Sequence, residues 1–553
     1  MRKVLQLDPR DNVLIALSDL KQGDVADLSH QSYTLVSNVP AKHKFAANDL
    51  PAGADVIMYG VLVGKASRSM RRGELLSIGD IRHEASQYGE KTREFHWSAP
   101  DVSRWQGETF MGYRRPDGQV GTRNYWLVVP LVFCENRNIV NLKQAFQEEL
   151  GFAPPQVYRQ QVSELARQYR FGKTQDTENL EHQRPAENGL ASPSPSHRLF
   201  PNIDGIRFLL HDGGCGGTRE DSNNLCGLLA GYCNHPNVCG ATVLSLGCQN
   251  AQVGIFREEV ARRNPHFAKP LIVLEQQRSG SEFAMLSDAI QRTFQGLIES
   301  DKAQRSPAPL SSLCVGLKCG GSDGFSGISA NPAVGHTSDL LAALGGRTIL
   351  SEFPELCGVE QELINRAVTK EVGDRFIQLM GDYANRARAA RASFDMNPSP
   401  GNMRDGLLTD AMKSAGAAKK GGTSPVTAVL DYPEYSTRPG LNLQCTPGND
   451  VECVTAQVGA GATVVLFTTG LGTPTGNPIS PVIKLSTNTP LAKRMPDIID
   501  VDTGPIISGE STIEQMAEGI LAYVVQVASG EVRTKAEINN QEDFIPRKRG
   551  ISL

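Results

Sequence analysis

Several absences narrow the field before any motif is weighed. In 553 residues there is no run of about 18 apolar residues, the length a membrane-crossing helix needs, so no membrane span is expected. The segment Met1-Arg-Lys-Val-Leu-Gln-Leu-Asp-Pro9 lacks the apolar stretch of a secretory signal, and a cytoplasmic protein is the expectation. The formal charge of −4 is too small for a chain-wide nucleic-acid footprint, and no basic stripe with interleaved aromatics supplies one locally. Glycine patterns of the nucleotide-binding kind are missing too. Gly470-Leu-Gly472 fits neither a phosphate loop nor a dinucleotide fingerprint, so no nucleotide cofactor is expected. The cysteines number eleven, odd and scattered, without local C-x₂-C spacing. They do not make a disulfide framework, and in a reducing compartment they are thiols or ligands.

What is present is an ordinary globular composition in a chain too long for one core, which implies roughly three domains of about 100–200 residues. Residues 1–85 alternate short β-type runs (Val4–Leu7, Val13–Leu17, Tyr33–Leu35, Val56–Val63) with turn signals and read as a small all-β module. A linker follows over 86–107. Residues 108–305 and 306–553 then alternate strand, polar loop and helix, the pattern of two α/β domains with mostly parallel sheets and ligands beyond the carboxyl ends of the strands. The polar, proline-rich stretch 174–197 interrupts the first of these and is expected to be a mobile surface insertion.

One stretch organises the rest. Gly316–Gly335, GLKCGGSDGFSGISANPAVG, places a cysteine, an aspartate, three serines and six glycines in what reads as one irregular connection after an apolar run. Such a loop offers little to a core but lets backbone N–H groups approach an anion or metal. The same grammar, an apolar strand followed by a small polar loop with a cysteine, recurs at Cys134, Cys215 and Cys248. Upstream, Pro116-Asp-Gly118 is a turn crowded by Arg114, Arg115 and Arg123, one of which is expected to clamp a substrate carboxylate bidentately.

These motifs together resemble the altronate and galactarate dehydratase family. The resemblance is carried by Leu317–Pro332, Glu352-Phe-Pro-Glu355, Asn397-Pro-Ser-Pro-Gly-Asn402, Pro439-Gly-Leu-Asn442 and Thr446-Pro-Gly-Asn-Asp450. Asp117–Asn124, Leu246–Asn250 and the His43–Ala46 turn extend it over nearly the whole chain apart from 174–197. It implies an N-terminal SAF-type β-clip domain joined to a two-part α/β dehydratase region. It also implies removal of water from a small sugar acid to give a 2-keto-3-deoxy acid, with Fe²⁺ or Mn²⁺ as the divalent metal. The chain departs from the family pattern at Leu76–His83 and at Asp212-Gly213.

Dehydrating a 2,3-dihydroxy acid requires pulling a weakly acidic proton from C2 and expelling hydroxide from C3, so a base, an acid and a means of holding enediolate charge are all needed. His211 is the expected base or ligand, and Asp323, Glu352 and Glu355 are the expected acids or carboxylate ligands. Expected substrate contacts are Arg115, Arg123, Asn124, Ser322, Asn331 and Asn449, and expected metal ligands are His43, His211, Cys215, Cys248 and Cys319. Two alternatives stay open. Three of Cys134, Cys215, Cys248 and Cys319 could converge on an iron–sulfur cluster, and the loops could hold a sugar acid without turning it over. Neither a nucleic acid nor a membrane is expected as partner, and a homo-oligomer is compatible with all of this.

Overall fold

The computed structural model describes residues 3–28, 31–154, 157–171 and 198–550, and the expected insertion 174–197 lies outside them. The N-terminal region is all-β. Its main sheet takes the order Val4–Leu5, Val13–Ala16, Lys44–Ala46, Leu75–Leu76, and a second sheet joins Asp55–Met58, Val61–Ala66 and Ile81–Arg82, every pairing antiparallel. The single strand expected over Val56–Val63 is two. Tyr59 and Gly60 take φ of 58° and 71°, and that left-handed pair reverses the chain into a hairpin. One face of this module shares its core with a distant part of the chain: Ile15, Val56 and Met58 cluster with Phe325, Ile328, Leu408 and Met412.

Two parallel sheets dominate the rest, beside a small antiparallel sheet of Val120–Gly121, Thr109–Arg114 and Ser306–Pro309. The first has the order Gly205–Phe208, Tyr125–Pro130, Val238–Ser245, Leu271–Glu275, and the second has seven strands in the order Val426–Leu430, Gly440–Gln444, Arg347–Leu350, Cys314–Cys319, Val464–Thr469, Val482–Ser486, Val501–Asp502. Tyr-Trp-Leu-Val-Val-Pro130 and Val464-Val-Leu-Phe-Thr-Thr469 are buried at every position, as strands covered on both faces must be. Helices Asn136–Glu149 and Glu282–Ser300 cover one face of the first sheet through Ile139, Leu142, Phe146, Met285 and Leu297. Between the sheets lie Arg219–Asn234 and Asp450–Gly459, sharing a core with Leu127 and Val243 on one side and Val465 and Phe467 on the other. The two helices touch so closely that a Cβ on Gly231 would sit 2.2 Å from the Gly459 carbonyl oxygen.

In the second sheet the chain passes from Cys314–Cys319 to neighbours on one side, then returns to place Val464–Thr469 on the other. That reversal opens a crevice at the carboxyl ends, where α/β proteins bind ligands. The irregular connection expected over Gly316–Gly335 is shorter and deeper than its composition suggests. Lys318 and Cys319 still belong to the strand, Ala330–Ala343 is helix, and residues 320–329 between them are buried except Gly321. The C-terminal tail then crosses the same side of the molecule. Ile545 N–H bonds Thr455 Oγ1 (3.1 Å), Arg547 reaches the Cys445 carbonyl (3.3 Å) and Lys548 pairs with Asp212 (2.7 Å) on the first sheet's loop edge. Among the described residues no helix is long and apolar enough to cross a membrane.

Candidate active site

At the crevice the strand Cys314–Cys319 ends in two fully buried polar side chains, Lys318 and Cys319. The neighbouring strand Arg347–Leu350 ends two residues before Glu352, which is 1% exposed and has φ 68° and ψ 57°. A left-handed non-glycine residue is uncommon and costs on the order of 1 kcal/mol or more, so the surroundings must hold it there. They do. The Glu352 amide bonds Thr446 Oγ1 (3.0 Å), and its carboxylate lies between two ammonium groups, with Oε1 against Lys318 Nζ and Oε2 3.0 Å from Lys420 Nζ. Lys318 also meets Asp450 Oδ1 (3.0 Å) and the Gly448 carbonyl (3.0 Å).

A second pair adjoins the first. Glu355 Oε1 is 2.9 Å from Lys413 Nζ, which also bonds Asn397 Oδ1 at 2.7 Å. Burial opposes charge on Glu355, but Lys413, backed by Lys318 and Lys420, holds its carboxyl well below the usual range. Burial likewise opposes charge on the lysines, and the facing carboxylates and thiol still leave all three above their ordinary value. The Cys319 thiol is pushed up to about 11 by burial and then by Glu352, although Lys420 Nζ lies 2.7 Å from its sulfur. Nearby Asp410 is fully buried, and among the described residues neither carboxyl oxygen has a hydrogen-bond partner. Burial and then the charge of Glu355 push its pKa well up, which favours the protonated carboxyl.

Next to this cluster the N-terminal module reaches in. Lys42 Nζ is 3.1 Å from Asp323 Oδ2 and 3.0 Å from Asp405 Oδ1, and Asp323 accepts further from Thr487 Oγ1 (3.0 Å) and the Phe325 amide (3.1 Å). Lys44 is wholly buried, donating to the Gly406 carbonyl (2.6 Å) and the Lys42 carbonyl (3.0 Å), and burial pushes it down to about 7 against the pull of Asp323. The unfolded lysine keeps its proton to about 10.5, so between these values the unfolded chain binds more protons and stability climbs with pH. Relative to Lys44→Met, the parent protein is therefore expected to gain on the order of a few kcal/mol between pH 7 and 10. Parallel pH dependences of the two urea midpoints would remove this assignment.

Cys319 Sγ and one oxygen each of Glu352 and Glu355 lie within 4.8 Å of one another, a buried group of the kind that could hold a metal ion. As arranged, the fit to a divalent ion is poor. Glu352, Glu355 and Cys319 each already face an ammonium group, and a dication would add two positive charges beside three lysines.

The other expected site residues fall in three places. Ser322 is buried with no partner for its Oγ among the described residues, Asn331 bridges the Gly416 carbonyl (3.0 Å) and Thr468 Oγ1 (2.6 Å), and Asn449 caps helix Asp450–Gly459 through Val451 and Glu452 N–H. All three border the crevice. Arg115, Arg123 and Asn124 lie instead at the amino ends of the strands. Arg115 spends its donors on Pro236 O, Asn124 Oδ1 and Arg123 O, while Arg123 forks onto Glu537 (2.7 and 3.0 Å) and bonds the Thr122 and Val527 carbonyls. Asn124 bonds the Asn202 carbonyl (2.8 Å). Of the expected metal ligands, Cys215 and Cys248 sit at the first sheet's carboxyl edge with His211, whereas Cys319 is in the crevice. The His211 ring is bonded at both nitrogens by backbone, Nε2 to Pro130 O (2.8 Å) and Nδ1 to the Gly213 amide (3.1 Å). His43 bonds the Ala41 carbonyl (3.1 Å), and it is the flanking Lys42 and Lys44 that reach Asp323 and Gly406.

Lys318, Lys413, Lys420, Asp410 and Asp450 are in the crevice without having been singled out from sequence. For Lys318 a signal existed: a lysine inside an otherwise apolar strand is expensive unless paired.

Comparison with known proteins adds a family to this geometry. Residues 2–84 match the altronate/galactarate dehydratase SAF domain, residues 112–301 the second domain of D-galactarate dehydratase/altronate hydrolase, and residues 310–552 the C-terminal D-galactarate/altronate dehydratase domain. An altronate dehydratase of Bacillus subtilis is 31% identical over the whole of both chains, and one of Escherichia coli is 32% identical over 99% of each. The galactarate dehydratase (L-threo-forming) of Escherichia coli is 31% identical over 96% of this chain and 93% of its own.

Proposed function

The chain belongs to the D-galactarate/altronate dehydratase family, and from that premise we propose that it is a hydro-lyase acting on a sugar acid, an altronate-type aldonate or a galactarate-type aldarate. The product is the 2-keto-3-deoxy acid. The observation that carries the reading is Glu352, a buried carboxylate in a left-handed conformation at a strand end, clamped between Lys318 and Lys420.

In this reading the substrate carboxylate enters against the lysines, which hold the charge that develops on the enediolate as the C2 proton leaves. Glu352 takes that proton. The C3–O bond then breaks, and the departing hydroxide needs a proton of its own. Asp410, whose carboxyl burial and the charge of Glu355 bias toward the protonated form, is the group beside the crevice assigned to give it. The enol formed relaxes to the 2-keto acid. Ser322 Oγ, buried and without a partner among the described residues, offers a hydrogen bond to a substrate hydroxyl. No step here passes through the Fe²⁺ or Mn²⁺ expected from the resemblance, because the Cys319, Glu352 and Glu355 group already faces ammonium groups.

The test is a panel of aldonic and aldaric acids, including altronate and galactarate, offered to anaerobically prepared protein with and without Fe²⁺ or Mn²⁺. Release of 2-keto acid is followed with semicarbazide. Turnover of at least one acid is expected. Tight binding without turnover of any of them would replace this reading with that of a silent sugar-acid binding protein.

A further inference from the structure

Cysteine is among the most buried of residue types. Of the eleven here, seven are buried, Cys357 is half-buried, and Cys134, Cys215 and Cys248 are exposed. Those three share one edge of the fold. They follow three adjacent strands of the first sheet, Tyr125–Pro130 in the middle with Gly205–Phe208 and Val238–Ser245 on either side.

Their loops are fastened to one another. Phe133 N–H bonds the Gly213 carbonyl (3.1 Å), Ala251 N–H bonds the Gly214 carbonyl (3.0 Å), and Asn136 Nδ2 bonds the His211 carbonyl (2.8 Å). The His211 ring braces the same junction. Gly214, at φ 98°, passes so close that a Cβ there would lie 2.1 Å from the Leu131 carbonyl oxygen. Helix Arg219–Asn234 begins four residues after Cys215. Next to Cys134, Glu135 and Asn138 are almost wholly buried, yet Glu135 Oε1 and Asn138 Oδ1 have no hydrogen-bond partner among the described residues.

We propose that Cys134, Cys215 and Cys248 bind a [4Fe–4S] cluster through three thiolates, leaving one iron without a protein ligand. Spacing weighs against one ion shared by all three sulfurs. One zinc or iron bound at about 2.3 Å to each sulfur needs the sulfurs within roughly 4.6 Å of one another. Among the described residues the one group of three such donors within 4.8 Å is Cys319 with Glu352 and Glu355, so the exposed sulfurs are spread wider than one ion's ligand shell. Strand ends about 4.8 Å apart suit a larger guest. Soft thiolates select iron–sulfur clusters. A closed zinc site would need a fourth ligand, and His211 is spent on backbone groups. The guest is the assembled cluster. Each thiol gives up its proton as its sulfur bonds iron, and no electron changes hands.

This assignment goes beyond the dehydratase reading and is tested apart from it. Protein purified anaerobically, as the full chain, is assayed for iron, zinc and acid-labile sulfide, for visible thiolate-to-iron charge-transfer absorption, and for a paramagnetic signal after dithionite reduction. Expected are roughly four irons and four sulfides per chain. Cys134→Ser, Cys215→Ser and Cys248→Ser should each lower sulfide at least tenfold, while Cys319→Ser and Cys357→Ser keep it, with circular dichroism confirming that every variant is folded. Iron without sulfide, zinc in its place, or sulfide retained in folded variants of the three would each overturn the proposal. Turnover of a sugar acid by sulfide-free protein removes the cluster and keeps the dehydratase. A cluster in a protein that turns over no such acid does the reverse.

Discussion

Glu352→Gln should leave a folded protein whose kcat for sugar-acid dehydration falls about 10³-fold with KM little changed, the loss typical of a removed general base. Glutamine keeps the shape of the side chain and one oxygen that can accept from Lys318 or Lys420, its amide nitrogen facing the other, and the backbone bond to Thr446 is untouched. What it cannot do is accept the C2 proton. Steady-state rates on whichever acid the panel identifies, together with solvent exchange of the C2 hydrogen, measure this. If the variant retains more than a tenth of the parent kcat, another group takes the proton, and Glu352 is a strained structural residue.

The largest effect on stability is expected at Lys318. Its ammonium is wholly buried and faces Glu352, Asp450 and the Gly448 carbonyl. Removing one partner of a buried ion pair strands the other, at a cost of about 3–5 kcal/mol. Lys318→Met should cost that much in the urea transition that reports on the second sheet. Adding Glu352→Gln to it should recover part of that, because the carboxylate left with Lys420 as its one remaining lysine is then gone. Additive losses in the double variant would mean that the two side chains are not energetically coupled, and the clamp would lose its meaning.

Much of the architecture was legible because its causes are local. Fully apolar runs such as Tyr125–Pro130 announce strands covered on both faces, and glycine-rich loops after them announce carboxyl edges. Cys319, Asp323, Glu352 and Glu355 stand in such loops or at their rims, so sequence could nominate them. Lys413 and Lys420 could not be nominated. The run Asp410–Gly421 looks like a solvated helix and turn, and only packing against the strand end at Glu352 and the helix at Gly335 buries it. Arg115, Arg123 and His211 illustrate the converse. Their chemistry invites a substrate or a metal, but in the folded chain backbone groups, Asn124 and Glu537 already bond them. Sequence also could not choose which cysteines belong together, since adjacency in the first sheet follows spatial strand order.

The intrusion of Lys42 and Lys44 makes the small β-module a wall of the candidate site rather than an appendage. A body made without residues 1–85 would be left with a wet, greasy socket at Phe325, Ile328, Leu408 and Met412 and a carboxylate at Asp323 stripped of its counter-ion. Such a fragment should be inert and sticky by itself. It should revive on mixing with the separately produced module, with a rate that rises with the module's concentration until the socket is filled.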